Sequence, residues 1–169
     1  MGLASGWGSQ VVNLGLDLGM EHTTASAFFA GSALLGIVGT IGFGMLADRV
    51  SGRTLLWVLL GVHAVGFTGL AMLPASDMFQ GVVPLLGLLG GGMMPVYAAL
   101  IGRLFGAAAF GQVMGLGGLL MAPIGAMAPA LGGFLRDATG SYTTMLLCFA
   151  TGMFLAAGLL QGLREPRPS

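Results

Sequence analysis

The chain is organised around the stretch GMLADRVSGR, residues 44–53, which gathers an acid, two arginines and two glycines into one short turn. An uncharged run over 22–47 precedes it, and another over 54–76 follows it. Each run is long enough to cross the hydrocarbon core of a bilayer, which takes roughly 20 helical residues. The stretch is therefore predicted to be a tight polar hairpin between two membrane spans.

The composition is that of an integral membrane protein. Lys plus Arg total 6 and Asp plus Glu total 6 among 169 residues, so charged residues make up 7% of the chain, against about 25% in a soluble domain. The mean hydropathy is +0.94. A soluble globule of this composition would expose large apolar patches, which excludes that class. The net charge is zero and every base is an arginine, so no nucleic-acid partner is predicted.

No catalytic residue, cofactor site or metal site is predicted. The single cysteine, Cys148, lies in an apolar run, so it forms no internal disulfide and no thiolate cluster. His22 and His63 lie in different surroundings, and no acid lies at membrane depth. The nucleophile pattern G-x-S-x-G and the zinc pattern H-E-x-x-H are both absent from the sequence. We therefore predict that the chain is not an enzyme.

The uncharged gaps between charges predict an all-α fold, a polytopic membrane helical bundle in a single domain, 1–169. Residues 1–16 are interpreted as a shortened N-terminal helix, followed by a polar loop over 17–21 and a helix cap from Thr23 or Thr24. Residues 104–111, rich in glycine and alanine, are interpreted as a connection. Five full transmembrane helices are predicted over 25–47, 54–74, 79–102, 112–135 and 142–163.

The arginines determine the predicted orientation. Alternating loops leave Arg136 alone on one side of the membrane and place the other five, Arg49, Arg53, Arg103, Arg164 and Arg167, on the opposite side. The positive-inside rule makes the side with five arginines cytoplasmic. The tail over 164–169 is then cytoplasmic, and the predicted location is the cell (inner) membrane.

The hairpin pattern occurs a second time near the end of the chain. G-x-L-x-D followed by a glycine occurs over 44–52 and again over 133–140. When the shortened helix over 1–16 is counted as the first, the two copies follow the second and the fifth predicted helices. An odd number of crossings therefore separates them. They therefore face opposite sides of the membrane, as an inverted three-helix repeat requires.

Asp48 lies at the C-terminal end of a predicted helix, where the helix dipole disfavours a negative charge. It therefore needs a partner, and either Arg53 or the N-terminus of a neighbouring helix would serve. An ordinary polar turn with a snorkelling side chain would account for Arg49 or Arg53 taken singly. The full pattern, including Gly44 and Gly52, favours a functional turn.

Residues 44–53 resemble the signature loop of the major facilitator superfamily, which lies between the second and third helices of each half. The resemblance runs over 10–163 and fits the C-terminal half of such a protein. It implies a secondary transporter in which two six-helix halves rock about a central cavity and move a small solute by alternating access. Further residues resemble the closing helices of monocarboxylate and oxalate-formate type members: Leu104, Gly106, Phe110, Gly111, Gly115, Pro129, Gly132, Gly133, Asp137, Gly140 and Tyr142.

The resemblance also implies roles and partners. The signature loop helps to latch the cytoplasmic side closed, with Asp48 as the latch acid, and its partner is a helix N-terminus in the other half. The expected partners are the lipid bilayer, a small-molecule substrate and a missing N-terminal half or partner chain. Proton coupling is a family expectation that rests on no residue here. The predicted gating motif is Gly44, Asp48, Arg49, Gly52 and Arg53.

Four polar residues at membrane depth form the predicted substrate pathway: Gln10, Asn13, His63 and Tyr97. Gln10 and Asn13 lie three residues apart on one helix face, where an amide pair either binds a polar solute or forms hydrogen bonds between helices. His63 is either a proton carrier or a hydrogen-bonded core residue.

Carriers of the resembling type place a basic residue within the membrane on the second or fifth helix of this half. The predicted helices 25–47 and 112–135 contain none. An anionic substrate is therefore not supported by this half of the protein, and a counter-charge is expected from the helices outside it.

Small residues recur four apart at Gly87 and Gly91 and at Gly111 and Gly115, which favours helix packing. The prolines of the same two spans either line a pathway or serve packing. Two alternatives to a transporter half remain open at this point. One is a truncated or structural helical bundle without transport activity of its own, and the other is a half-transporter that pairs with itself or with another chain.

Overall fold

The computed structural model describes residues 2–162 and the side chains of residues 10–162. All regular structure in this part of the chain is α-helical, and four of its helices are long and apolar enough to cross a membrane. The protein is thus a multi-pass helical membrane protein, which confirms the predicted class. The helices are α1 (Gly2–Asp17), α2 (His22–Arg49), α3 (Gly52–Met72), α4 (Ser76–Thr139) and α5 (Thr143–Leu160).

The longest helix, α4, consists of two segments that meet at Gly106. A straight helix of its 64 residues would be about 96 Å long, three times the bilayer core. Gly106 has φ 71° and ψ 171°, a conformation that is essentially restricted to glycine. The segments 76–105 and 107–139 are helical on either side of it. Where the sequence predicts a connection over 104–111, the structure has a break at one residue.

The turn between α1 and α2 differs from the prediction. The cap predicted at Thr23 or Thr24 is wrong, because α2 begins at His22 and its N-cap is Glu21, whose side chain makes no capping bond. Gly19 adopts a left-handed conformation with φ 78°, and the chain reverses there. The two threonines consequently lie inside the first turn of α2.

The bundle is assembled around α4. Helix α2 packs along α4, α1 packs on α4 and α2, and α3 packs between α4 and α5. The larger core lies among α1, α3, α4 and α5, where the rings of Phe67 and Phe149 meet edge to face with centroids 6.0 Å apart. A second core lies at the hairpin end and is formed by Ala47, Leu55, Leu56, Leu59, Val96 and Leu100.

Helices α2 and α4 approach each other at glycines. A Cβ atom at Gly39 would overlap the carbonyl oxygen of Leu88, and one at Gly91 would overlap that of Gly36. The hydroxyl of Thr40 lies 3.0 Å from the carbonyl oxygen of Gly91, on the facing helix. Such close backbone contact replaces the hydrophobic driving force that helices lack inside lipid. Gly91 therefore serves helix packing, as predicted.

The other predicted small-residue pair has no such contact. A Cβ atom at Gly111 or at Gly115 would meet nothing within 4 Å in the part of the chain that the structure describes. Large apolar side chains are exposed on the same segment, among them Leu119 and Phe134. This surface is suited to lipid or to another apolar helix.

Candidate functional sites

The hairpin over 44–53 is a turn of two residues between α2 and α3. Val50 is extended, with φ −116° and ψ 154°, and ends α2. Ser51 is the N-cap of α3, and its hydroxyl oxygen accepts a hydrogen bond from the backbone N–H of Thr54 at 3.3 Å. Gly52 is buried as the first residue of α3. The turn is therefore fixed by a capping hydroxyl and a residue without a side chain.

Arg103 reaches this turn from α4. Its Nη1 donates to the carbonyl oxygen of Val50 at 2.9 Å, and its Nη2 donates to that of Ala47. The last carbonyls of a helix have no partner within the helix, and a cation there also complements the helix dipole. The sequence analysis placed Arg103 on the same side of the membrane as the hairpin but gave no sign of this contact. Arg103 thus joins α4 to the end of α2.

The acid of the predicted gating motif points away from the bundle. Asp48 and Arg49 are both exposed, whereas Arg53 is half-buried on α3. Within residues 10–162 the carboxylate of Asp48 makes no hydrogen bond or ion pair. A Cβ atom at Gly44 would lie 3.8 Å from the Cβ of Pro95, which is an ordinary van der Waals distance. A partner for Asp48 from outside this part of the chain stays a prediction.

At the other end of the bundle, polar residues surround a cavity of about 380 Å³, which we call the vestibule. It is formed where α1 meets the second segment of α4 and the start of α5. Its position, at the opposite helix ends from the hairpin, places it on the other side of the membrane. It is lined by Gln10, Asn13, Leu16, Asp17, Gly133, Arg136, Asp137 and Tyr142.

Gln10 is buried at the base of the vestibule and bonds to two other elements. Its Nε2 donates to the carbonyl oxygen of Pro129 at 3.3 Å, and its Oε1 accepts from the hydroxyl of Tyr142 at 3.1 Å. The structure thus uses this amide for bonding between helices, the second of the two interpretations. Asn13, three residues later, is exposed toward the vestibule.

An ion pair closes one wall of the vestibule. Nη2 of Arg136 lies 3.1 Å from Oδ1 of Asp17, and its Nε lies 3.4 Å from Oδ2. The side chains of Arg136 and Asp17 are 41% and 35% exposed, and ion pairs with this much exposure contribute little to stability. The guanidinium carbon is 5.9 Å from the ring centroid of Tyr142. Sequence reasoning missed this group because Asp17 and Arg136 lie on different helices, 119 positions apart.

The other two residues of the predicted pathway lie elsewhere. His63 is buried in α3, with Nδ1 2.8 Å from the carbonyl oxygen of Leu59 and the ring 6.1 Å from that of Phe67. A carbonyl can only accept, so Nδ1 carries the proton. The hydroxyl of Tyr97 approaches Gly117, where a Cβ atom would lie 2.9 Å away. Tyr97 thus contacts the second segment of α4, and the structure does not bring the four residues together.

Residues 3–169 match the sequence model described as Major Facilitator Superfamily. The chain belongs to this superfamily. Monocarboxylate transporter 13 of Bos taurus is 32% identical over 152 residues, which cover 84% of this chain and 33% of that protein. Monocarboxylate transporter 12-B of Danio rerio is 32% identical over 170 residues, covering 94% and 34%. Monocarboxylate transporter 11 of Mus musculus is 30% identical over 179 residues, covering 99% and 40%.

Membership of the superfamily confirms the resemblance drawn from residues 44–53, and it places the chain among transporters rather than enzymes. The chain spans about a third of the length of the curated relatives that it matches. No solved structure gives a significant match to it.

Proposed function

We propose that this chain is the C-terminal half of a major facilitator secondary transporter, which moves a small solute across the membrane by alternating access. The observation that carries the proposal is the superfamily match over residues 3–169. The geometry of the hairpin supports it, because a latch must present its acid to a partner. Asp48 is exposed in the last turn of α2, and Arg103 holds the end of that helix in place.

In this proposal α1 is the first helix of the half, α2 and α3 are the second and third, and α5 is the sixth. The fourth and fifth helices are the two segments of α4, 76–105 and 107–139. The G-x-L-x-D copies then end the second and fifth helices, on opposite sides of the membrane, which fits inverted three-helix repeats. Arg49, Arg53 and Arg103 make the hairpin side cytoplasmic under the positive-inside rule. The tail over 164–169 lies outside the described residues, and we propose that it is on the same side of the inner membrane.

The other half comes from chain outside the present sequence or from a partner. The relatives are about three times as long as this chain, and the family is built from two similar halves. Helix α2 and the second segment of α4 expose apolar side chains to their surroundings, among them Ile37, Ile41, Leu116 and Leu120. Part of this surface suits the facing half, and the rest suits lipid.

The solute class is proposed from the relatives, which are named monocarboxylate transporters. Of the predicted pathway, Gln10 and Asn13 line the vestibule, and Tyr97 contacts the second segment of α4. A coupling proton remains a family-based proposal, since His63 is packed in the core and hydrogen-bonded.

The test is uptake by liposomes that contain the native product bearing this chain, purified from its own membranes. Labelled acetate, lactate and benzoate are compared with their uncharged amides, and empty liposomes measure simple diffusion. We expect saturable uptake of at least one acid. Uptake of every solute at the rate of empty liposomes would favour the alternative, a structural bundle without transport activity.

A further inference from the structure

We propose that the vestibule is a docking site for the carboxylate of the solute and that the guanidinium of Arg136 is its binding group. The inference rests on the proposed function, and it adds the residue that recognises the solute. It also supplies the counter-charge that is absent from 25–47 and 112–135, because Arg136 directly follows the second of these ranges and lines the vestibule.

Only one edge of the Arg136 guanidinium is hydrogen-bonded in the described part of the chain. Its Nε and Nη2 face Asp17, at 3.4 Å and 3.1 Å from the two carboxylate oxygens. Its Nη1 makes no hydrogen bond within the described part of the chain. The edge formed by Nη1 and the second hydrogen of Nη2 is the planar fork that pairs with a carboxylate through two parallel bonds. One edge is thus held by the protein, and the other is available to a solute.

The surroundings of Arg136 are built to hold it. The ring of Tyr142 lies 5.9 Å from the guanidinium carbon, and cations are attracted to the face of an aromatic ring. The ring is only 6% exposed, and its hydroxyl is bonded to Gln10 at 3.1 Å. Gln10 is in turn bonded to the carbonyl oxygen of Pro129. The buried Gln10–Tyr142 pair therefore fixes the surface against which Arg136 lies.

The remaining walls suit a small solute. The volume of about 380 Å³ lies in the range of small-molecule sites, about 300–1,000 Å³. Asn13 offers an amide donor, and Leu16 offers an apolar surface for the rest of the molecule. The carboxylate of Asp137, which is exposed, lies on the same cavity and weakens the binding of an anion. Weak binding fits a docking site, because the solute must leave it again.

Asp17 competes with the solute for Arg136. Both partners of the ion pair are substantially exposed, so water can replace either of them at small cost. A solute carboxylate that takes the open edge can bind beside Asp17 or displace it. Removing the charge of Asp17 therefore strengthens solute binding, whereas removing the charge of Arg136 abolishes it.

The test measures binding separately from transport. Equilibrium dialysis in detergent follows labelled acetate, lactate and benzoate with the purified product, and acetamide, lactamide and benzamide are the uncharged controls. We expect Arg136→Gln to weaken the binding of the acids about tenfold or more, since hydrogen bonds between charged groups are the strong ones. Arg136→Lys keeps the charge but loses the fork, and it should give an intermediate affinity.

Asp17→Asn provides the matched control, because it breaks the same ion pair and leaves the guanidinium in place. We expect it to tighten the binding of the acids by about two- to fivefold. Glu21→Gln removes a charge on the same side of the membrane but outside the vestibule, and it should leave the binding of the acids unchanged. Equal loss of binding in Asp17→Asn and Arg136→Gln would show that the ion pair is merely structural, and would overturn the inference.

Two further outcomes separate the inference from the proposed function. If the wild type binds none of the acids, or if Arg136→Gln binds them as well as the wild type does, the inference fails whatever the transport assay shows. If the wild type binds acids through Arg136 but liposomes show no uptake, the docking site stands and the proposed function fails.

Discussion

Arg103 determines how the C-terminal end of α2 is held. It donates to two backbone carbonyls, those of Ala47 and Val50, across the gap between α4 and the hairpin. Only arginine has two permanently charged N–H donor groups that can reach two separate carbonyl oxygens at once. The position of Asp48 next to these carbonyls therefore depends on a residue more than fifty positions away.

We predict that Arg103→Met lowers the free energy of unfolding by about 2 kcal/mol, because two charge-assisted hydrogen bonds are lost while the apolar stem is kept. Thermal unfolding in detergent measures this as a fall in Tm of about 4–8 °C. Arg49→Met removes an exposed arginine from the same turn and is the control, with a Tm near that of the wild type. An equal Tm in both variants would mean that the Arg103 contacts do not stabilise the fold.

We predict that Asp48→Asn slows uptake at least tenfold and leaves the Tm unchanged. The carboxylate is exposed and makes no bond within residues 10–162, so its loss removes nothing that holds this part of the fold, whereas a latch would lose its charge. Uptake into liposomes and thermal unfolding are measured on the same preparation. Asp77→Asn, an exposed acid in the first turn of α4, is the control. Normal uptake in Asp48→Asn would exclude the latch.

Which charged residues meet could not be predicted from their order in the chain. The positions of Asp17, Asp48, Arg103 and Arg136 at span ends follow from the length of the uncharged runs. The partners of Asp17, Arg103 and Arg136 lie on other helices, 119 positions away for Asp17 and Arg136. The rotation of each helix about its own axis decides which side chains face each other. That rotation is set by packing, which a pattern of apolar residues this uniform does not encode.

The crossing of α2 and α4 is the contact between elements that depends most on residue size. The backbones touch at Gly36, Gly39, Gly87 and Gly91, so any side chain there separates the two helices. The small-residue spacing predicted part of this contact, since Gly87 and Gly91 both lie in it. The same spacing at Gly111 and Gly115 produced no contact in the described chain, which shows that spacing alone does not identify the partner.

We predict that Gly39→Ala destabilises the bundle by about 1–3 kcal/mol, because the new Cβ atom overlaps the backbone carbonyl of Leu88, which cannot move by itself. Gly42→Ala, one turn later on α2, is the control. Nothing lies within 4 Å of a Cβ atom there, and the change favours the helix by up to about 1 kcal/mol. The same Tm for both variants in thermal unfolding would show that α2 and α4 do not need a glycine at position 39.

The break in α4 shows a limit of sequence patterns at the level of a helix. Residues 104–111 mix glycine, which disfavours helix, with alanine, which favours it. Such a mixture indicates a weak point without specifying which residue leaves the helix. In the structure that residue is Gly106 alone, and the alanines that follow it begin the second segment.

The molecule as a whole divides its charges between two ends and leaves the middle apolar. The hairpin end carries Asp48, Arg49, Arg53 and Arg103, and the vestibule end carries Asp17, Arg136 and Asp137. In the proposed function, the hairpin is the latch at one end, and the vestibule is the docking cavity for the solute at the other. In that proposal the two ends act together, because a carrier must close one side before it opens the other.

Counterflow tests transport by alternating access most directly. Liposomes that contain the native product are loaded with unlabelled lactate, acetate or benzoate, and traces of the same acid, labelled, are supplied outside without any ion gradient. A single site that alternates between the two sides predicts a transient accumulation of label that empty liposomes do not show. Entry of label at the same rate with and without the internal load would contradict transport by alternating access.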